Sequence, residues 1–434
     1  MLDKKYVNYI LISIIVFLFV PFIIDFSSKN IVDYYNFLDL DIPYYLDYIY
    51  SFLLFSFFIL VIFNFNIESK YKKYLLLAYI FRIFFILFIF PFVENYYNGW
   101  DAKQFYGNAL AFQNGISEYN FSIGNSTANI SQIFNILHNL FGFGYKNIEV
   151  ILSTIVFYAF YLNFKQLKNY LTNKQNKFIL IFFLFEPMTI IFTSLYSKDP
   201  LAIASIMFSF YFLIKFYRTS KKKYLLYSFI PFIYFLFVRI WLIPIVGISI
   251  IFSLFLNKKI NKISFLILFV FTIILVFFSL NTLGINSLSS LESFIVNWSA
   301  GWGTGGSATA VSINSLTDFI IKYPYLLFTT LFRPLIMTGN IFVMLTNLIN
   351  WIIFIFFIKS IYIYTKYKNR FNILIRNIYN TALIFIWIWG SAYSFISPQN
   401  LGSGTRFKIQ IWFLIILISS FGFIKNKDIK IGAE

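Results

Sequence analysis

The chain has 434 residues, of which 59% are hydrophobic and 12% charged, and its mean hydropathy is +0.75. So few charges cannot cover the surface of a water-soluble domain, so the composition predicts a membrane protein. The absence of cysteine excludes disulfides and thiolate metal sites. A single histidine, His138, excludes a zinc site built from several histidines.

Apolar segments of membrane-spanning length recur along the chain. A span needs about 20 apolar residues, and this criterion predicts an all-α polytopic bundle of about 12 transmembrane helices, forming a single domain over 1–434. The first segment follows two lysines, like a signal peptide, but it lacks a small-residue cleavage site, so we interpret it as a span. The predicted spans lie near 7–25, 47–66, 74–93, 147–165, 178–196, 200–217, 224–238, 241–257, 263–281, 340–358, 378–396 and 408–424.

The distribution of lysine and arginine orients these spans. Of the 35 basic residues, 25 fall in the segments that this topology places in the cytoplasm, while most carboxylates fall on the outer side. This is the positive-inside pattern, with both termini cytoplasmic. The net charge of +18 then reflects membrane topology and anionic lipids, and no nucleic-acid partner is needed. The composition suggests an AT-rich bacterial genome, so we expect a multi-pass membrane protein of a bacterium.

Several apolar segments depart from this simple pattern. The segments 130–145 and 324–337 would reverse the orientation if they crossed, so we predict amphipathic or re-entrant helices on the outer face. The spans 224–238 and 241–257 are short, and Arg239 lies in the turn between them, which we expect below the outer surface. The loop 282–323 is the longest outer loop, and its glycines at 301, 303, 305 and 306 predict a flexible or close-approach segment.

Basic residues outside the cytoplasmic segments are the main candidates for a binding site, because a charge near hydrocarbon must be paired or hydrated. Five of them lie at outer ends of spans and suit phosphate oxygens, arginine as a bidentate fork and lysine as a point charge. These are Lys198, Arg239, Arg333, Arg406 and Lys408. Alternatively, Arg406 and Lys408 extend to the interface by snorkelling, and Lys198 with Asp199 and Pro200 forms an ordinary helix start.

Asp101 is the candidate for catalysis. It follows a predicted span on the outer side, in the stretch "NGWDAKQFY". A carboxylate there can take a proton from an attacking hydroxyl or help to hold a divalent metal. The alternative is a structural one, in which Asp101 caps a helix beginning at Ala102 and "DAKQ" is a capping box.

Other polar residues have weaker signals. Trp298 and Trp302 can offer faces to sugar rings or anchor their loop at the interface. His138 is interpreted first as a hydrogen-bonded interfacial histidine and second as a base. Arg82 lies in the middle of a predicted span, where we expect a structural ion pair with Glu186.

The frame of Asp101, Tyr106, Ala109 and Gly115, followed by "LFGFG", resembles the first outer loop of GT-C type membrane glycosyltransferases. The stretch 194–257 resembles the middle of EpsG-like and Wzy-like polysaccharide polymerases. The closing "RFKIQIWFLIILISSFGF" is similar to the last span of both groups. Many GT-C enzymes carry two adjacent acids where this chain has Asp101 and an alanine, so metal dependence is left open.

The resemblance implies a GT-C-like fold and an enzyme that acts on lipid-linked sugars. Its donor would be an undecaprenyl phosphate or pyrophosphate sugar at the periplasmic face, and its acceptor a glycan or lipid-linked sugar in surface polysaccharide assembly. Asp101 would act as base or metal ligand in an inverting transfer or a polymerisation step. Arg239, Arg333 and Arg406 would hold the donor phosphate, helped by Lys408 and Lys198.

A lipid-linked oligosaccharide flippase or secondary transporter is the alternative function, because such proteins also have about twelve spans and intramembrane cations. The chain shows no obvious corresponding halves, and its polar segments are unequal in length and confined to the outer side. This pattern favours the enzyme.

We expect Asp101→Asn to lower glycan transfer at least about 100-fold, the contribution typical of a general acid or base. Asparagine caps a helix about as well as aspartate, so a purely capping role predicts an almost unchanged rate. The measurement is glycan extension by the purified variant in proteoliposomes, with expression level and melting temperature as controls. An Asn variant that works at the wild-type rate would contradict the catalytic assignment.

Overall fold

The computed structural model describes residues 44–96, 100–115, 121–303, 311–333, 341–399 and 401–424. Within these ranges the chain is helical and contains no strand. Eight of the helices are long and apolar enough to cross a membrane, which confirms an all-α membrane protein. They are Leu46–Phe63, Ser69–Glu94, Tyr145–Tyr170, Asp199–Thr219, Lys262–Thr282, Met344–Arg370, Ile373–Tyr393 and Gly404–Phe423.

The predicted span at 178–196 is broken. Two helices, Asn173–Leu184 and Pro187–Ser194, meet there at 56°, and they count as one further span only if taken together. Proline has no backbone N–H and ends the preceding helical ladder. Glu186 stabilises the second helix by accepting hydrogen bonds from Thr189 and from the Met188 amide.

The region 222–256 also differs from the prediction. Instead of a span at 224–238 the structure has two short helices, Lys222–Tyr227 and Phe232–Val238, followed by the 15-residue apolar helix Leu242–Leu256. Pro231 separates the short helices and cannot donate to the ladder. The predicted first span at 7–25 and both chain termini lie outside the described residues.

The loop 282–323 and the two interfacial segments are largely helical. The loop contains the helix Leu288–Gly303, which includes two of the four glycines, and the start of the helix Leu316–Phe332. Gly305 and Gly306 lie outside the described residues. The second of these covers most of the segment 324–337, and Ser126–Phe141 covers most of the segment 130–145. Neither segment is among the candidate spans.

The contacts divide the chain into two compact units. Unit 1 takes the chain up to Phe121, together with Thr127–Ile155 and Thr193–Lys198. The prediction of one polytopic domain stays a prediction. The helices of unit 1, in chain order, are α1 (Tyr44–Phe63), α2 (Ser69–Phe84), α3 (Phe90–Tyr96), α4 (Trp100–Gln113), α5 (Ser126–Phe141) and α6 (Tyr145–Leu167) up to residue 155.

Unit 2 holds the second part of α6, from Val156, and most of the remaining chain. Its helices are α7 (Asn173–Leu184), α8 (Pro187–Ser194) up to residue 192, α9 (Asp199–Thr219), α10 (Lys222–Tyr227), α11 (Phe232–Val238), α12 (Leu242–Leu256), α13 (Lys262–Thr282), α14 (Leu288–Gly303), α15 (Leu316–Phe332), α16 (Ile341–Tyr367), α17 (Ile373–Tyr393) and α18 (Leu401–Ser420).

The C-terminal helix α18 forms the core of unit 2. It packs against α7, α9, α16 and α17, and 89% of its apolar window is buried, against 11% for α13. A helix that is apolar on all sides and buried by its neighbours is central, whereas α13 presents its apolar surface outward as a lipid-facing helix does. Residues on α18 are therefore held on several sides by protein.

Polar side chains link the helices of unit 2. Asn257, after α12, donates to the Asn377 carbonyl and the Thr381 hydroxyl on α17, and Tyr217 of α9 shares a 2.9 Å hydrogen bond with Thr381. Asn163 on α6 donates to the Met207 carbonyl at 2.8 Å. Such bonds between helices contribute up to about 1–2 kcal/mol each in a membrane, because lipid offers no alternative partner.

We expect Gly404→Ala to destabilise the protein by about 1–3 kcal/mol, the usual range for overpacking. A Cβ at Gly404 would collide with the carbonyl oxygen of Ser397, which is backbone and cannot rotate away. The matched control is Gly107→Ala on α4, where nothing lies within 4 Å and alanine favours the helix. The measurement is the melting temperature in detergent. A Gly404→Ala protein as stable as the Gly107→Ala protein would contradict this packing.

Candidate functional site

The clearest cluster of functional side chains in unit 2 is centred on Asp199. This carboxylate is the first residue of α9 and is fully buried. Its two oxygens accept hydrogen bonds from different arginines, Oδ1 from Arg239 and Oδ2 from Arg406. Three of the sequence candidates are thus brought together, with Asp199 holding both cations.

Helix ends position two members of this cluster. Asp199 is followed by Pro200, which has the fixed φ of a first helical turn. Arg239 ends α11, and the chain turns there into α12. The third, Arg406, lies on the central helix α18.

The two arginines differ in exposure. The Arg239 side chain is 3% exposed and that of Arg406 14%. The Arg239 guanidinium also faces the rings of Trp241, at 5.2 Å, and Phe407, at 6.0 Å, which favours a cation there. Its Nε has no hydrogen-bond partner among the described residues. One buried donor of the cluster is therefore not engaged by Asp199.

Lys408 and Arg333 are a second group of basic residues in unit 2, joined through the backbone of Arg333. The buried Lys408 ammonium donates to the Arg333 carbonyl at 2.7 Å and to Asn350 Oδ1 at 2.8 Å, and it lies 4.7 Å from the Trp412 ring centre. The Arg333 guanidinium donates to the Pro398 carbonyl at 2.6 Å. Side chains two residues apart on a helix point to different faces, so Lys408 does not join Arg406 around Asp199.

The other sequence candidates lie in unit 1 or in α14. Lys198 belongs to unit 1, where its ammonium lies 5.4 Å from the Phe105 ring centre. Trp298 on α14 is 38% exposed, and the side chain of Trp302 lies outside the described part of the chain. Of the five predicted phosphate-binding cations, Arg239 and Arg406 thus meet at Asp199, and Lys408 contacts the backbone of Arg333.

Asp101 is exposed and lies in the first turn of α4, which begins at Trp100. The helix thus starts two residues earlier than the capping-box interpretation required, so Asp101 is not its cap. An acid in the first turn is still favoured by the helix dipole. Tyr106 and Ala109, which belong to the same sequence frame as Asp101, are buried within unit 1.

His138 is a buried, hydrogen-bonded side chain of α5. Its Nδ1 donates to the Phe143 carbonyl, and Nε2 lies 2.9 Å from the Tyr196 hydroxyl, which donates to it when the ring is neutral. Burial lowers the pKa of His138 below its usual value, partly opposed by the Phe143 hydrogen bond. The neutral ring is therefore favoured, as expected for a structural histidine.

The predicted ion pair between Arg82 and Glu186 would join the two units, and it stays a prediction. Arg82 is fully buried in unit 1 and donates to the hydroxyls of Thr193 and Ser153, whereas Glu186 caps α8 in unit 2. Sequence reasoning also missed a buried network in unit 1 in which Lys146 joins Glu94 and Glu149. The three appear in the sequence only as isolated charges near span ends.

Among the described residues, no three histidine, aspartate or glutamate side chains are grouped so that they could hold a metal ion. No protein-family model, curated protein or solved structure matches this chain.

We expect Asp199→Asn to destabilise the protein by about 3–5 kcal/mol, because it leaves two largely buried arginines without their counter-charge. The control is Asp318→Asn, which removes an ion pair with Lys322 at a partly exposed site and should leave the melting temperature nearly unchanged. The measurement is thermal unfolding in detergent. Equal melting temperatures for the two variants would contradict the role of Asp199 as the shared counter-charge.

Proposed function

We propose that this chain is a GT-C-like glycosyltransferase or polysaccharide polymerase of the bacterial inner membrane. It would transfer sugar from an undecaprenyl phosphate or pyrophosphate donor at the periplasmic face, during surface polysaccharide assembly. The observation that carries the proposal is the pair of arginines held by the buried carboxylate of Asp199 in unit 2. Its other basis is the resemblance of the sequence to membrane glycosyltransferases.

The charge of the cluster favours an anionic ligand. Two guanidinium groups and one carboxylate leave one net positive charge in a largely buried setting. A buried charge is costly unless it is paired, and a phosphate is an anion whose oxygens match the guanidinium fork. The unengaged Nε of Arg239 offers a further donor.

Asp199 would prepare the arginines for the donor. A carboxylate and a phosphate accept the same charged hydrogen bonds, so Asp199 holds both guanidinium groups near the orientation that phosphate requires. Donors that are already oriented need little rearrangement when charge develops on the ligand. A donor phosphate would share or replace the contacts of Asp199.

The arginines would act when the sugar leaves its carrier. The acceptor hydroxyl oxygen attacks the anomeric carbon, and the bond from that carbon to the phosphate oxygen breaks, with its electron pair remaining on the phosphate. The growing negative charge on this oxygen is stabilised by Arg239 and Arg406. The proton of the acceptor hydroxyl passes to a base, for which Asp101 is proposed.

A flippase or secondary transporter for lipid-linked oligosaccharides is the second candidate. The observation that favours it is the 56° break between α7 and α8, because discontinuous helices form substrate sites in many transporters. The capping of α8 by Glu186 already satisfies part of the exposed backbone at this break.

We expect Arg239→Ala and Arg406→Ala to abolish sugar transfer and the corresponding lysine variants to restore it only in part, because lysine keeps the charge but loses the bidentate fork. The control is Arg218→Ala, at an exposed arginine that contacts Gln166. Proteoliposomes with a fixed lipid-linked donor and acceptor report both lengthening of the glycan and exchange between leaflets.

Two outcomes in proteoliposomes separate the candidates, and a binding assay tests the phosphate contact itself. Glycan lengthening that depends on both arginines supports the enzyme. Exchange between leaflets without new glycosidic bonds supports the transporter and contradicts the enzyme. A thermal-shift assay isolates the phosphate contact, since polyprenyl pyrophosphate should stabilise the wild type more than uncharged polyprenol, and Arg406→Ala should remove the difference.

A further inference from the structure

Unit 1 contains a buried cluster of ionisable groups that the proposed transfer reaction does not use. The Lys146 ammonium, on the first turn of α6, donates to Glu94 Oε2 at 2.9 Å and to Glu149 Oε2 at 2.7 Å. All three side chains are 0% exposed. One buried cation therefore serves two buried carboxylates.

Asp47 lies beside this cluster but is compensated separately. Its carboxylate accepts hydrogen bonds from the backbone N–H groups of Lys146, at 2.8 Å, and Asn147, at 3.2 Å. These amides begin α6, where the helix dipole favours an anion. The approach is close, since a Cβ at Gly144 would collide with the Asp47 carboxylate. In the described ion pairs of Lys146, its ammonium contacts the two glutamates.

The two glutamates cannot both be ionised at low cost. The Oε2 atoms of Glu94 and Glu149 lie 2.9 and 2.7 Å from the same Lys146 Nζ, so the distance between these two oxygens cannot exceed the sum of those distances. Two like charges at such a separation in a buried site oppose each other, and one carboxylate then retains a proton. With a single proton on the pair, the charge of Glu94, Glu149 and Lys146 together is zero.

The hydrogen bonds indicate which glutamate carries the proton. Glu94 accepts through both oxygens, Oε2 from Lys146 and Oε1 from the Tyr145 hydroxyl at 2.6 Å. Glu149 accepts through Oε2, whereas its Oε1 is buried and has no hydrogen-bond partner among the described residues. Of the three hydrogen bonds to the pair that the described residues make, two converge on Glu94, which favours the anion there.

Several other charged and titratable groups in the described part of unit 1 contact partners outside this cluster. Arg82, on α2, donates to Thr193 and Ser153, and Tyr48, on α1, donates to the Leu87 carbonyl at 2.6 Å. Tyr106, Tyr196 and His138 form a ring cluster with Tyr145 and are neutral near pH 7. Lys198 lies over Phe105, and Asp101 and Lys103 are exposed on α4.

We propose that unit 1 contains a buried proton-binding site, in which Glu94 and Glu149 share one proton beside the Lys146 ammonium. Glu149 is the principal carrier of this proton. The ligand of this site is the proton itself. Its release leaves one uncompensated negative charge in a dry environment, which is costly. Proton uptake and release are therefore linked to any rearrangement that admits water or a cation to this cluster.

Infrared difference spectroscopy of the full-length protein at neutral pH tests this site. The difference spectrum between the wild type and Glu149→Gln should contain the C=O stretch of one protonated carboxyl group in the wild type. This band should shift in heavy water. Glu94→Gln should lose the same band, because each substitution leaves a single glutamate ionised beside Lys146. Asp318→Asn, which alters a partly exposed carboxylate, should keep it.

A further variant distinguishes a shared proton from a purely structural cluster. Lys146→Met removes the ammonium, so both glutamates should take a proton and the band should about double. The proposal is overturned if the wild type lacks the band, or if it persists in both glutamine variants. A second measurement compares the melting temperature in sodium or potassium with that in a bulky organic cation at equal ionic strength. The proposal is also overturned if the metal cation stabilises the wild type but not Glu149→Gln, because a metal cation would then take the place of the proton.

Discussion

The structure depends on how ionised side chains are neutralised among apolar helices. A charge transferred from water to a dry interior costs several kcal/mol unless an opposite charge or several hydrogen bonds compensate it. Arg82, Lys146, Asp199 and Lys408 are all almost completely inaccessible, and each contacts oppositely polarised groups of other segments. These contacts restrict how the helices can pack, because sliding one helix would separate a buried charge from its partner.

The buried cluster in unit 1 and the buried cluster in unit 2 differ in the sign of their excess charge. In unit 2 one carboxylate is shared by two arginines, so the cluster carries excess positive charge and favours an anion. In unit 1 one ammonium is shared by two carboxylates, so the cluster carries excess negative charge and favours a proton. The ligands proposed for the two clusters follow from the sign of this imbalance rather than from the net charge of +18.

The ends of helices supply many of the groups in these clusters. Asp199 begins α9, Arg239 ends α11, and Lys146 lies in the first turn of α6, where Asp47 also accepts the free backbone amides. A helix end carries backbone groups without intrahelical partners, and in a membrane these must be satisfied by protein. Several polar side chains of the two clusters therefore lie at helix ends.

The sequence by itself determined the class of the protein and the position of most spans. Runs of apolar residues about 20 long predict helices whatever their neighbours, because the cost of placing each residue in lipid is local. The break at Pro187 and the two short helices around Pro231 were not predicted, since hydropathy does not register a missing backbone donor. The choice of Arg239 and Arg406 as candidates came from the rarity of charge near hydrocarbon.

Only the tertiary structure decided which charges meet. Asp199 and Arg406 are 207 residues apart, and nothing in the spacing of the sequence marks them as a pair. In the sequence, Lys146 is one of ten basic residues outside the predicted cytoplasmic segments. The packing of α3 and α6 places its ammonium between two glutamates. Hydropathy measures how costly each charge is to bury, while its compensation depends on the packing of helices distant in the chain.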